Sequence, residues 1–225
     1  TGSHANRYTS IPSISIPSFG KPSSTSIAPE TPLVEALAPA IIPVQSEKLI
    51  NISSETQAQV TSIIVTEQKN GVPAGSIKNI YFTETQESVS LPLDTNRFLA
   101  FEGIQLHDTL KRSLDKQLMV GFLGETSGQT TPFIILKISD YDSAVAGMLD
   151  GEPGLPKLFD TVFGTEIGGT ATVKFKDIIV LEKNARLLET VSGTKMVYSF
   201  SDKNTIIITG SRLALETLLS LATTK

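Results

Sequence analysis

The sequence predicts an α+β fold, an antiparallel meandering sheet with helices packed on one face. Three observations carry that prediction. Short β-branched runs recur between Gly, Asn and Ser turn signals, and several apolar stretches begin on a Ser, Thr or Asp cap. The order strand, strand, helix then occurs twice in the C-terminal half.

The chain opens on an arm. Its first 32 residues contain 17 Ser, Thr or Pro and three charged side chains, Arg7, Lys21 and Glu30. A stretch such as Ile11-Pro12-Ser13-Ile14-Ser15-Ile16-Pro17-Ser18 cannot be helical, because each Pro removes a donor and clashes with the preceding turn. It also has too few large apolar groups to form a core. Seven of the 12 prolines fall within residues 12–43, so residues 1–45 read as a Ser/Thr/Pro-rich arm or stalk. Residues 46–225 read as the α+β globular domain, with possible subdomains 46–116 and 117–225. Inside the arm, Thr31 as cap and Pro32 as first residue predict a helical turn reaching Leu37, which Pro39 ends.

Beyond Gln45, Glu47–Ile52 reads as a short strand. Ser53 or Ser54 caps the next helix, with Gln57 in the capping-box position and Val60, Ile63 and Ile64 at helical spacing; Ile63–Thr66 could equally be a strand. Asn70-Gly71 and Gly75 punctuate the chain before a strand from Ile77 to Thr83. Asp94 or Thr95 caps a helix carrying Phe98, Leu99 and Phe101, and Gly103 followed by Ile104 stops it. Leu106, Leu110 and Leu114, four apart, mark another short helix.

In the C-terminal half, Leu118–Leu123 and Phe133–Ile138 read as a hairpin around a Gly-containing loop. A helix follows, capped by Ser139 or Asp140 and carrying Tyr141, Ala144, Val145 and Met148. Thr172–Leu181 and Ala185–Glu189 add strands, with Ser192-Gly193 as a turn. The order then recurs: strand Lys195–Phe200, turn Ser201–Asn204, strand Thr205–Thr209, and a helix capped by Ser211 with Leu215, Leu218 and Leu219. Met119-Val120 matches Met196-Val197, and Ile134-Ile135-Leu136 matches Ile206-Ile207-Ile208. The unit is either an old duplication or convergence on the same patterning.

Composition excludes several functions. A net charge of −4 with scattered Lys and Arg leaves no basic footprint for nucleic acid. Cysteine is absent, which rules out disulfides, thiolate metal sites and a Cys nucleophile. No apolar run approaches the roughly 18 to 20 residues of a membrane span. The start at Thr1-Gly2-Ser3-His4 resembles a cloning scar, so a signal or membrane anchor is expected upstream.

No catalytic motif is complete. Ser192/Lys195 and Ser113/Lys116 have Ser-x-x-Lys spacing, which works when a helix start sets the amine beside the hydroxyl. Here the first Ser falls in a turn and the second near a helix end, and the companion motifs are missing. Ser201-Asp202-Lys203-Asn204 is turn chemistry. His4 lies in the scar, and His107 beside Asp108 reads as a solvated surface residue. The acidic pairs Asp140/Asp142 and Asp150/Glu152 could grip a cation or serve as acid and base, but Asp140 fits an N-cap and Asp150–Gly154 a helix end. Gly164, Gly168 and Gly169 do not match a phosphate loop. No catalytic, cofactor-binding or metal-ligating residue is therefore assigned.

Three segments carry a family resemblance: Pro132–Ile138 running into Asp140–Leu149, then Phe175–Val180, then Tyr198–Thr209. Together they resemble an uncharacterised family of cell-envelope proteins from small-genome candidate-phylum bacteria, over roughly residues 77–221. The resemblance implies a single-pass membrane protein with a Pro-rich linker and an α+β ectodomain; it carries no catalytic residues. One departure is Gly151 before Glu152, where the family usually has an aromatic residue, which predicts looser packing there. The expected function is a non-enzymatic extracytoplasmic binding or assembly domain of an anchored envelope protein. Its expected partner is another envelope protein or a second copy, engaged through the N-terminal arm. Two alternatives stay open: a cell-wall or small-molecule hydrolase using carboxylates or a Ser–Lys pair, and a filament or surface-layer subunit whose arm strand, Ile11, Ile14 and Ile16, adds to a neighbour's sheet edge.

Overall fold

Alternation in the strands sends apolar side chains to both faces of a single mixed sheet. The structure, a computed structural model, describes residues 33–34, 40–167, 174–190 and 193–223. The chain divides at Thr31/Pro32, and all described residues belong to the second unit. The strand expected from Ile11, Ile14 and Ile16 lies outside them.

Strand β1 is Leu33–Val34, followed by β2 (Ser46–Asn51), helix α1 (Gln57–Lys69), β3 (Ile77–Gln86) and β4 (Val89–Pro92). Helices α2 (Thr95–Phe101) and α3 (Asp108–Ser113) lead to the hairpin β5 (Leu114–Gly124) and β6 (Thr130–Ile138). Helix α4 (Tyr141–Gly151), a 3-10 turn (Glu152–Gly154) and α5 (Leu155–Phe163) follow. The chain ends in β7 (Phe175–Val180), β8 (Lys183–Thr190), β9 (Gly193–Asp202), β10 (Thr205–Thr209) and α6 (Arg212–Ala222). The sheet order is β1-β4-β3-β5-β6-β10-β9-β8-β7, with β2 also on β3. Only the β1–β4 and β2–β3 pairs are parallel.

On one face Val120, Phe122, Ile134, Leu136, Ile206 and Ile208 meet Val60 and Ile64 of α1, Phe98 of α2, Leu110 of α3, Met148 of α4 and Phe159 of α5. On the other, Met119, Phe133, Ile135 and Ile207 meet Leu215, Leu218 and Leu219 of α6 together with Ile41 and Ile42. The expected α+β sheet is present, but the helices are not all on one face. The reason is in the strands: Ile206, Ile207 and Ile208 are buried as a continuous run, so both faces need covering. Ile41 and Ile42, which precede the composition shift at Gln45, are part of that cover.

Several local signals read correctly from the sequence. Asp94, Asp140 and Ser211 cap α2, α4 and α6 through their side chains. Gly103, at φ 63°, closes α2: its N–H donates to Ala100 O and that of Ile104 to Leu99 O. Other signals were misread. Thr56, not Ser53 or Ser54, caps α1, with Gln59 completing the box. Ser53 is occupied in the turn after β2, where its N–H donates to the Asn51 side chain and its hydroxyl accepts from Thr85 N. Leu33–Val34 is a strand on β4 and not part of a helical turn. Helix α5 was unforeseen, although Leu155, Leu158, Phe159, Val162 and Phe163 form an apolar stripe that Gly164 ends in the left-handed region.

The matched segments do not form equivalent units. Met119 pairs with Ile135, whereas Met196 pairs with Leu188 and lies past the end of the β9–β10 ladder. The helices that follow, α4 and α6, go to opposite faces. Two contacts fix α1 and α4 in place. Glu67 of α1 binds Lys78 of β3 and Lys48 of β2, the Lys78 bond foremost in holding its carboxyl below the usual range. Gly147 lets α4 touch α3, since a Cβ there would lie 2.3 Å from Leu110 N. At Gly151, where looser packing was expected, a Cβ would stand 3.4 Å from the His107 Cβ, an ordinary contact distance.

Candidate functional site

Helix α4 places Tyr141, Val145 and Leu149 on one stripe, four residues apart, beside its buried Ala144/Met148 face. Together with β7–β9 that stripe walls a groove of about 740 Å³. Asp140 starts the helix by accepting from Ser143 N at 3.1 Å and Ser143 Oγ at 3.0 Å. These bonds, the backbone one first, hold its carboxyl below the ordinary range. Across the groove stand Asp177 and Ile179 of β7, Arg186 of β8, and Tyr198 and Phe200 of β9. Alternation places all five on the face toward α4. Tyr141 meets Phe200 edge-on with centroids 5.2 Å apart.

The floor is a closed polar network. Glu152, just past α4, accepts from Arg186 Nε at 2.7 Å and Nη2 at 2.9 Å, and from the Tyr198 hydroxyl at 2.9 Å. Arg186 Nη1 donates to Asp177 Oδ1 at 2.8 Å. Burial, reinforced by the Glu152 charge, pushes the Tyr198 phenol well above its ordinary range. The hydrogen bond to Glu152 holds the Arg186 guanidinium more firmly charged. Chemically the network is a brace: a fork-to-fork ion pair and a phenol tie α4's exit to β8 and β9. Glu152 has its oxygens engaged, and Arg186 is matched by two carboxylates.

Above this floor two lining side chains are apolar and open: Ile179 is 67% exposed and Leu149 48%. Leu181, in the turn after β7, is 52% exposed. That turn holds Leu181 and Glu182 at φ 48° and 60°, the left-handed region that non-glycine residues adopt at a cost. A smaller hollow of about 360 Å³ lies between β3 and β5 beside Tyr81, Pro92 and Lys116. It lacks both the exposed large side chains and the paired charges.

The sequence-derived candidates are dispersed. Of the four carboxylates Asp140, Asp142, Asp150 and Glu152, the groove floor takes in only Glu152; Asp140 caps α4, and Asp142 and Asp150 are exposed on its outer side. The Ser113 hydroxyl is buried and donates to Leu110 O at 2.7 Å, while Lys116 is exposed on β5. Ser192, Gly168, Gly169, His4 and the side chain of Lys195 lie outside the described residues. Gly164 caps α5. His107 is exposed before α3 and makes no side-chain cap bond. Asp202 accepts from Asn204 N at 2.6 Å in the β9–β10 turn. Among the described residues no three His, Asp or Glu are placed to hold a metal ion, and no helix is long and apolar enough to cross a membrane.

Sequence reasoning missed Arg186, Tyr198 and Ile179, since no short motif joins residues 34 and 46 positions from Glu152. It also missed Glu102, which ends α2 and is 1% exposed. Neither of its carboxylate oxygens has a hydrogen-bond partner, while the nearby Gln57 amide donates to its backbone carbonyl at 2.8 Å. Burial pushes that carboxyl up to about 7. Comparison with protein-family models, curated proteins and solved structures finds no match to this chain.

Proposed function

We propose that the chain is a non-enzymatic, extracytoplasmic binding or assembly domain of an anchored cell-envelope protein, and that the α4/β7–β9 groove is its contact surface. One observation carries the reading: exposed large apolar side chains stand at a groove whose floor groups Glu152, Arg186 and Tyr198 are already bonded to one another. Leu149 and Ile179 gain from being covered, because burying such a side chain is worth about 1.5–3 kcal/mol. The floor beneath them spends its charges on one another, which leaves little for chemistry. The Ser/Thr/Pro-rich arm supports tethering. A carboxylate hydrolase is the weaker reading, because a general acid or base needs an unengaged oxygen and Glu152 offers none.

The test is a photo-cross-linking amino acid at position 179 of the full chain in its own host, with position 213 on α6 as reference. Adducts at 179 with an envelope component or a second copy, and none at 213, are expected. Turnover of wall fragments or small esters that Glu152→Gln abolishes would overturn the reading.

A further inference from the structure

We infer that the turn joining α2 to α3, residues 102–107, is a proton-held latch: it stays closed while the Glu102 side chain is neutral and swings out when that side chain becomes charged. Three features of the fold carry this, and none belongs to the groove.

The first is an uncompensated burial. Glu102 is 1% exposed, and neither carboxylate oxygen has a hydrogen-bond partner. A neutral carboxyl tolerates such a place, whereas a charged group is costly to bury without a partner. No neighbouring charge offsets that cost. From α1 the Gln57 amide is the one side chain that acts on the carboxyl, and burial outweighs it. On α2 itself Arg97 is turned to Glu84. Strand β5, which packs on α2, carries Asp115 and Lys116 exposed to solvent, and β3 meets the helix through Phe82 against Phe98. His107 and Asp108, at the far end of the turn, are exposed. Neither these groups nor Glu55, ahead of α1, shifts the Glu102 proton.

The second is a hinge. Gly103 follows at φ 63°, and a Cβ there would meet nothing within 4 Å, so the turn has open space to move into. The third is a slender fastening. Residues 102–104 are held by the Gln57 amide on Glu102 O and by the N–H groups of Glu102, Gly103 and Ile104 on Phe98 O, Ala100 O and Leu99 O. Among the described residues no backbone bond ties Gln105 or Leu106 to another element. Releasing those few bonds brings the carboxylate to water while the sheet stays intact, and it uncovers the partly buried Phe101, Ile104 and Leu106. The carboxyl stands at about 7 in the closed fold against an ordinary 4.5. The closed form thus holds the proton more tightly, so opening is favoured as pH rises through that window and levels off above it.

Native-state hydrogen exchange on the full chain tests this, with Glu102→Gln run beside it so that the intrinsic pH dependence of exchange cancels. Relative to that variant, the Gly103 and Ile104 amides of the unaltered chain should open about fortyfold more readily at pH 7 than at pH 5. Their exchange should not respond to low urea, whereas that of Ile135 and Ile207, paired in the β6–β10 ladder, should accelerate with it. Gln57→Ala loosens the fastening and leaves the carboxyl in place, so it should raise opening at every pH and keep the pH slope. Should Glu102→Gln not fold, the rise in the unaltered chain is read against the exchange rates of unstructured peptides. The same ratio at both pH values, or loss of the slope in Gln57→Ala, overturns the inference. So does exchange of Gly103 and Ile104 that follows urea as steeply as Ile135 and Ile207, because then only global unfolding frees the carboxyl.

Discussion

Glu102 gives the sharpest quantitative expectation. Its carboxyl is buried at the end of α2, both oxygens lack partners, and its pKa stands at about 7 against an ordinary 4.5. A raised pKa means that the folded state holds the proton more tightly than the unfolded one. Between pH 4.5 and 7 the folded chain keeps a proton that the unfolded chain has released, so stability falls as pH rises through that window and levels off above it. At 1.36 kcal/mol per pH unit, the loss is about 3 kcal/mol. Glu102→Gln keeps the shape and removes the charge. It should leave stability nearly unchanged at pH 4.5 and raise it by about 3 kcal/mol at pH 8, or about 6–12 °C in melting temperature for a chain of this size. Calorimetry of both proteins at the two pH values checks this, because groups other than Glu102 cancel in the difference. The same offset at both pH values, or a less stable variant at pH 8, would refute the reasoning.

Two further outcomes follow from the packing. Arg186→Met leaves Glu152 largely buried without its cation and should cost about 3 kcal/mol in urea denaturation; adding Glu152→Gln should recover part of that loss, and strict additivity would show that the two do not form a unit. Gly147→Ala drives a methyl against the Leu110 backbone and should destabilise by about 3 kcal/mol, so an unchanged midpoint would mean that the α3–α4 contact is looser than described.

Signals contained within a few residues read best. Asp94, Asp140 and Ser211 act as caps because capping is a bond to an N–H only three residues on. Gly103 stops α2 for an equally local reason. Failures arise where two local solutions compete. Ser53 and Ser54 are as good as Thr56 for capping α1, and what removes Ser53 is Thr85, 32 residues away. At the candidate site, Asp140 could be placed correctly by sequence and Glu152 could be singled out, but its partners could not. Arg186 and Tyr198 look like ordinary polar residues of alternating strands until β8 and β9 lie beside α4.

Composition and short-range geometry suffice for the α+β class, most strands, three side-chain caps and the absence of cysteine. Which face each helix covers, that Glu152 is bonded to Arg186 and Tyr198, and that Ile179 and Leu149 line one groove become visible once the strands are assembled. Those outcomes depend on strand order, which carries residues dozens of positions apart into contact. The energy that selects among orders is the burial of whole sheet faces, a quantity no short stretch contains.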